Sequence, residues 1–211
     1  KAESAEAKAR MEKEAEAKRS AKQKAEEAAR RKKAAAAAAA AGYGGLTSEL
    51  YKLDIRVGVV TECRRHPEAD ALYIETIDLG EASPRQVVSG LVKHMEASEL
   101  LNRRVVVLAN TKPSKMRGVE SAAMLLCAAS ADGAKMEVLE PPPAAAVGER
   151  LVFDGHADEP ERQLNPKKKL WEKLQPQFNT SDECIARFDT LTLRAASGPC
   201  RAATIAGGAI K

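Results

Sequence analysis

The chain of 211 residues has few aromatic side chains: one Trp, three Tyr and three Phe, 3% of the sequence. Base stacking along an extended single strand needs a series of aromatic faces, so that mode of nucleic-acid binding is poorly served here. Cysteine and histidine are also scarce. Cys63, Cys127, Cys184 and Cys200 form no C-x-x-C pair, and the three histidines lie far apart. A zinc site needs four convergent ligands, usually in close sequence pairs, so no metal or other cofactor is expected, and free thiols in a reducing compartment are the simpler reading. No apolar run approaches the roughly 20 residues that cross a bilayer. The first residues are charged and alternate with alanine, unlike a signal peptide, and their seven glutamates do not suit a transit peptide. The expected location is therefore cytoplasmic, with no membrane partner. Lys1 in place of Met points to a piece or processed product of something longer. No P-loop occurs, and His66, His94 and His156 have no neighbouring residues that suggest a catalytic triad. The chain is read as a non-enzyme without a small-molecule substrate.

The charge that is present is unevenly placed. Residues 1–41 hold 12 Lys/Arg and 7 Glu, a net of +5, within an overall +4; the remaining 170 residues hold 22 basic and 23 acidic groups. Ala, Lys, Glu and Arg are strong helix formers, and Glu6/Arg10, Glu14/Lys18, Glu26/Arg30 and Glu27/Arg31 have the favourable acid-first i,i+4 spacing. Apart from alanine, Met11 is the only apolar residue, so this helix lacks the a/d seam of a coiled coil. It reads as a charged arm, 1–45 with its glycine linker. The cluster Arg30, Arg31, Lys32 and Lys33 is a candidate for phosphate contact.

From residue 46 the pattern changes to strands. Leu53, Ile55, Val57 and Val59 alternate with polar residues or glycine, and His66–Asp70 is turn chemistry. Further strands are expected at Leu72–Leu79, Gln86–Ser89, the continuously apolar Val105–Leu108, Met124–Ala128 and Lys135–Leu139. A short helix is expected over Ala97–Asn102. About five short strands with one helix fit a mainly β, Greek-key barrel of the oligonucleotide-binding (OB) type over 46–143. Pro141–Pro143 marks its boundary. A smaller α+β unit follows over 144–211, with a strand at Leu151–Phe153, a helix from Asn165–Pro166 through Leu174, and a late strand at Thr190–Leu193. Sixty-eight residues bury a thin core, so this unit is expected to dock on the barrel. Trp171 is expected to anchor that core, and Tyr73 is assigned to the barrel interior.

The most informative stretch is Asn110–Gly118, with Lys112, Lys115 and Arg117 in six residues after a buried strand. It is expected to be a loop on the barrel rim whose cations meet phosphates and sugars. In order and spacing, Leu53–Gly58, His66–Tyr73, Val88–Leu91 and Lys112–Gly118 resemble the tRNA-binding domain of the endothelial monocyte-activating polypeptide II family. Leu164–Lys169, Asn179–Cys184 and the ending Gly208–Lys211 resemble that family's C-terminal extension. The likeness covers 49–211. It implies an OB barrel that grips the outside of the L-shaped tRNA and an extension that mimics a dimer interface. It also implies a role as a cofactor of an aminoacyl-tRNA synthetase or multisynthetase complex, or as the C-terminal part of a methionyl- or tyrosyl-tRNA synthetase. The alternative it allows is a released, cytokine-like signalling fragment acting through a protein receptor. By position, Asn110, Lys112, Lys115, Met116, Arg117, Ser121 and Met124 match the RNA-binding stretch, with Arg64 and Arg65 a neighbouring patch. Alanine at 122 and 123, where the family often has glycine or a small polar residue, is a departure that removes a hydrogen bond. Lys115–Met116–Arg117 shares letters with a synthetase ATP-loop signature, but the rest of that signature is absent.

Overall fold

The computed structural model describes residues 44–211. The charged arm, including Arg30, Arg31, Lys32 and Lys33, lies outside the described residues. After a single helical turn, α1 (Gly44–Thr47), the chain enters a long strand, β1 (Ile55–His66), then β2 (Ala69–Asp78) and β3 (Arg85–Ser89). Helix α2 (Ala97–Leu100) separates these from β4 (Arg104–Leu108). Its start is fixed by a capping box, with the Glu96 and Glu99 side chains each bonded to the other's backbone N–H.

β1 pairs antiparallel with both β2 and β4, β2 pairs with β3, and β4 pairs with β7 (Met124–Leu125). Residues 120–122 close the ring onto β3. The Ala122 N–H donates to the Gln86 carbonyl at 2.9 Å, the Val88 N–H donates to Ser121 Oγ at 3.0 Å, and Gln86 Nε2 donates to the Glu120 carbonyl at 2.8 Å. The result is the OB barrel. Gly58 on β1 is a close-approach position: a Cβ there would stand 2.7 Å from Ile77 and 2.9 Å from Leu79.

β4 explains its own sequence. Val105 and Val107 join the barrel interior with Val60, Tyr73, Ile77 and Leu125. Val106 and Leu108 point the other way, into a second core shared with Leu151, Leu170, Phe178 and Leu193. Val105 to Leu108, four of the five β4 residues, are fully buried. A strand covered on both faces reads as a continuous apolar run and does not alternate.

The second core is where the barrel meets residues 144–211. β10 (Arg150–Phe153) pairs with β1 on one side and with β13 (Leu191–Ala195) on the other. β11 (Phe178–Thr180) and β12 (Ala186–Phe188) continue that sheet, β14 (Gly198–Pro199) pairs with β13, and β15 (Ala209–Ile210) returns to pair with β8 (Cys127–Ala129), itself paired with β9 (Met136–Val138). The few aromatics are concentrated here. The three phenylalanines, Phe153, Phe178 and Phe188, meet edge to face with centroids 5.3–6.2 Å apart. Edge-to-face pairs add roughly 0.5–1.5 kcal/mol each beyond burial, which suits a unit with little core volume.

Two expectations are corrected. The run expected as one helix through Leu174 is a 3-10 turn (Pro166–Lys168) followed by α3 (Leu170–Leu174), broken at Lys169 with φ 48° and ψ 47°. The expected cap does hold, with Asn165 Oδ1 accepting from the Lys167 N–H at 3.0 Å. Met124–Ala128 is likewise two strands, interrupted at Leu126, whose N–H turns to the Val106 carbonyl.

Candidate nucleic-acid interface

The stretch read as a rim loop contains a small hairpin. β5 (Ser114–Met116) pairs antiparallel with β6 (Val119–Ser121). Arg117 and Gly118 form its two-residue turn with φ of 49° and 86°. Positive φ at both central positions is the requirement of a type I′ turn, whose twist matches the flanking strands. Lys112, Lys115, Met116 and Arg117 are exposed, and Lys112, Lys115 and Arg117 have no ion-pair partner among the described residues. A rigid two-stranded tongue thus presents unpaired cations to solvent.

The base of this tongue is polar but closed. Asn110 is 4% exposed and Ser121 is 5% exposed. Asn110 Oδ1 accepts from the Asp54 N–H at 3.1 Å, while Nδ2 donates to the Lys52 carbonyl at 2.8 Å and the Glu161 carbonyl at 2.7 Å. Ser121 Oγ accepts from Val88 and donates to the Ala123 carbonyl at 2.9 Å. Both were expected among the RNA-touching residues. Their bonding groups are instead spent inside, where they fix the two ends of the hairpin segment. Met124 is half-buried beside the tongue.

Arg64 and Arg65 are exposed near the end of β1, with the Arg65 guanidinium 5.9 Å from the Tyr73 ring centroid. Arg117 shares a cleft of about 680 Å³ with the β1–β2 turn and with Lys93. The structure thereby brings the hairpin tip to the β1 hairpin end and adds Lys93, an exposed cation that sequence reading passed over because it stands alone in its segment. On the other side of the tongue, Lys112 lines a second cleft with Lys169 and Trp171 from the extension. The Lys167–Lys169 run was visible in the sequence, but nothing in its spacing pointed to the barrel rim.

Cys63, Cys127 and Cys200 do not suit nucleophilic work. Burial pushes Cys127 and Cys200 up to about 12 and Cys63 up to about 11. Such groups stay protonated at neutral pH. Burial also lowers the pKa of His156, with the Asp158 charge opposing.

A closed OB barrel with a cationic tongue on its rim defines a nucleic-acid-binding module of the OB class. The comparisons narrow that class. Residues 55–150 match the family described as a putative tRNA binding domain. Aminoacyl tRNA synthase complex-interacting multifunctional protein 1 of Mus musculus is 47% identical over 161 residues, covering 76% of this chain and 51% of that protein. A probable methionine–tRNA ligase of Oryza sativa subsp. japonica is 48% identical over 160 residues, covering 76% of this chain and 20% of that one. The crystal structure of the C-terminal domain of Plasmodium vivax p43 superposes with a TM-score of 0.72 at 31% identity, covering 78% of this chain and 99% of that domain. This chain belongs to the endothelial monocyte-activating polypeptide II family of tRNA-binding domains. It spans about half the length of the first of these curated relatives.

Proposed function

We propose that this chain is a non-catalytic tRNA-binding module that reads tRNA shape and backbone, and delivers or retains tRNA for an aminoacyl-tRNA synthetase in the cytoplasm. It acts as a separate cofactor within a multisynthetase assembly or as the C-terminal part of a methionyl- or tyrosyl-tRNA synthetase. Residues 46–143 form the RNA-binding unit, 144–211 brace it, and 1–45 form a basic arm. The observation that carries this reading is the tongue and its approach: Lys115 and Arg117 on the hairpin and Lys112 just before it are exposed with no ion-pair partner among the described residues, and Asn110 and Ser121 pin the two ends of the segment. Contacts from such cations to phosphates fix position and register but carry no base information. Binding tRNA to a module tethered to a synthetase makes the second encounter intramolecular. The test is affinity for several tRNAs and for an unstructured RNA of equal length. Similar affinities across tRNAs and much weaker binding of the unstructured RNA are expected; equal binding of the unstructured RNA contradicts shape recognition.

A further inference from the structure

We infer that the cleft between the rim hairpin and the extension holds one unpaired nucleotide of a bound RNA, its base against Trp171 and its phosphate between Lys112 and Lys169. This deepens the tRNA-binding reading and rests on it. The cleft measures about 310 Å³ and is lined from both units: Lys112, Met116 and Met124 from the barrel side, Lys169, Trp171 and Glu172 from the extension. That volume is at the lower end of ligand sites, enough for a single nucleotide and too small for a stacked run.

The lining has the chemistry of such an occupant. Trp171 is half-buried, and Phe178, itself buried, backs its ring at a centroid distance of 5.0 Å and a tilt of 57°. The indole is therefore held in place while part of it lines open space. Met116, 36% exposed, supplies a polarisable apolar surface from the hairpin. Lys112 and Lys169 are both exposed, and neither has an ion-pair partner among the described residues. Glu172 provides an acceptor suited to an exocyclic amine. The backbone at Lys169 is left-handed, a conformation that is unfavourable for a non-glycine residue. That break ends the 3-10 turn and starts α3, so it places Lys169 and Trp171 in one cleft lining. Lys112 precedes the tongue and lines this cleft together with Met116 of the tongue itself, so an RNA backbone crossing the hairpin is led into the cleft. Scarce aromatics exclude a stacking track; one ring serves one base.

Trp171 is the only tryptophan, so its fluorescence reports one place in the molecule. The full chain is titrated with end-labelled tRNA, with binding followed by anisotropy of the label and access to Trp171 followed by acrylamide quenching. Saturating tRNA is expected to reduce quenching severalfold, while a blunt-ended RNA duplex at the same concentration leaves it unchanged. Trp171→Ala is expected to weaken tRNA binding roughly 5- to 100-fold, the range for loss of one base–aromatic stack. Trp171→Phe, which keeps a ring against Phe178, retains most of the affinity. If the alanine variant fails to fold, the quenching result decides alone. Bound tRNA with Trp171 as quenchable as in the free protein overturns the proposal, as does equal protection by the duplex. No tRNA binding by anisotropy overturns the parent reading as well, so the two failures are distinct.

Discussion

Asn110 and Glu75 show what burial does to a polar residue. The Asn110 amide makes three hydrogen bonds to backbone groups of two segments, at Lys52 and Asp54 and at Glu161, so its burial is compensated. Glu75 is not compensated. It is wholly buried in the barrel, one carboxyl oxygen meets the Ser89 hydroxyl, and the other has no partner in the structure. Burial pushes its pKa up from 4.5 to about 7, with the Ser89 bond opposing. A carboxyl with a raised folded-state pKa favours the fold while it is protonated, below the unfolded value of 4.5. That contribution is lost as pH rises, and the loss is complete above about 7. A shift of this size corresponds to on the order of 3 kcal/mol. Glu75→Gln removes the titration. Urea unfolding of both proteins at pH 4 and pH 8 is expected to show the variant gaining on the parent by a few kcal/mol between the two. An equal stability difference at both pH values contradicts the assignment.

At the scale of elements, the sequence was legible where one cause dominated. The alternation at Leu53–Val59 became β1, the capped start at Asn165 held, and the unbroken apolar run at 105–108 is the strand covered on both faces. Legibility failed where two causes compete. Lys115–Met116–Arg117–Gly118 carries no hydrophobic alternation because both faces of that hairpin are wet, so it read as a loop. Its one local signal was a two-residue turn ending in glycine. The helix break at Lys169 had no signal in propensity, since lysine is a good helix former; it comes from packing α3 against the second core. Site residues divided in the same way. The exposed cations were readable from composition, but the inward bonding of Asn110 and Ser121 and the approach of Lys93 depend on tertiary contacts. The hairpin turn gives a prediction at this scale. A Cβ at Gly118 would meet nothing within 4 Å, so Gly118→Val acts only through its backbone φ of 86°. Forcing a β-branched residue there costs roughly 1–3 kcal/mol locally. The melting temperature should fall by roughly 2–12 °C, and tRNA affinity at a temperature well below that transition should drop severalfold. Unchanged affinity would mean that the tongue's shape does not matter for binding.

Across the whole molecule, the barrel and the extension are joined by a common core and by strand pairing at both ends of the extension. β10 pairs with β1, and β15 pairs with β8. A carboxylate strengthens the second junction. Glu137 on β9 accepts from the Thr204 and Ile205 N–H groups, the Thr204 hydroxyl and Lys135. Burial pushes this carboxyl up, but those hydrogen bonds outweigh it and hold the pKa at about 2. The shared core sets the tongue beside the β1–β2 turn on one side and beside Lys169 of the extension on the other. In the proposed function this assembly reads the RNA backbone through its unpaired cations. The most direct measurement is tRNA affinity as a function of salt, for the parent and for Lys115→Ala/Arg117→Ala, with several tRNAs. Each lost phosphate contact lowers the slope of log affinity against log salt by roughly 0.7–0.9. The account predicts a slope shallower by about 1.4–1.8 for the double variant, and a similar loss of affinity for every tRNA. An unchanged slope, or a loss confined to one tRNA species, would contradict it.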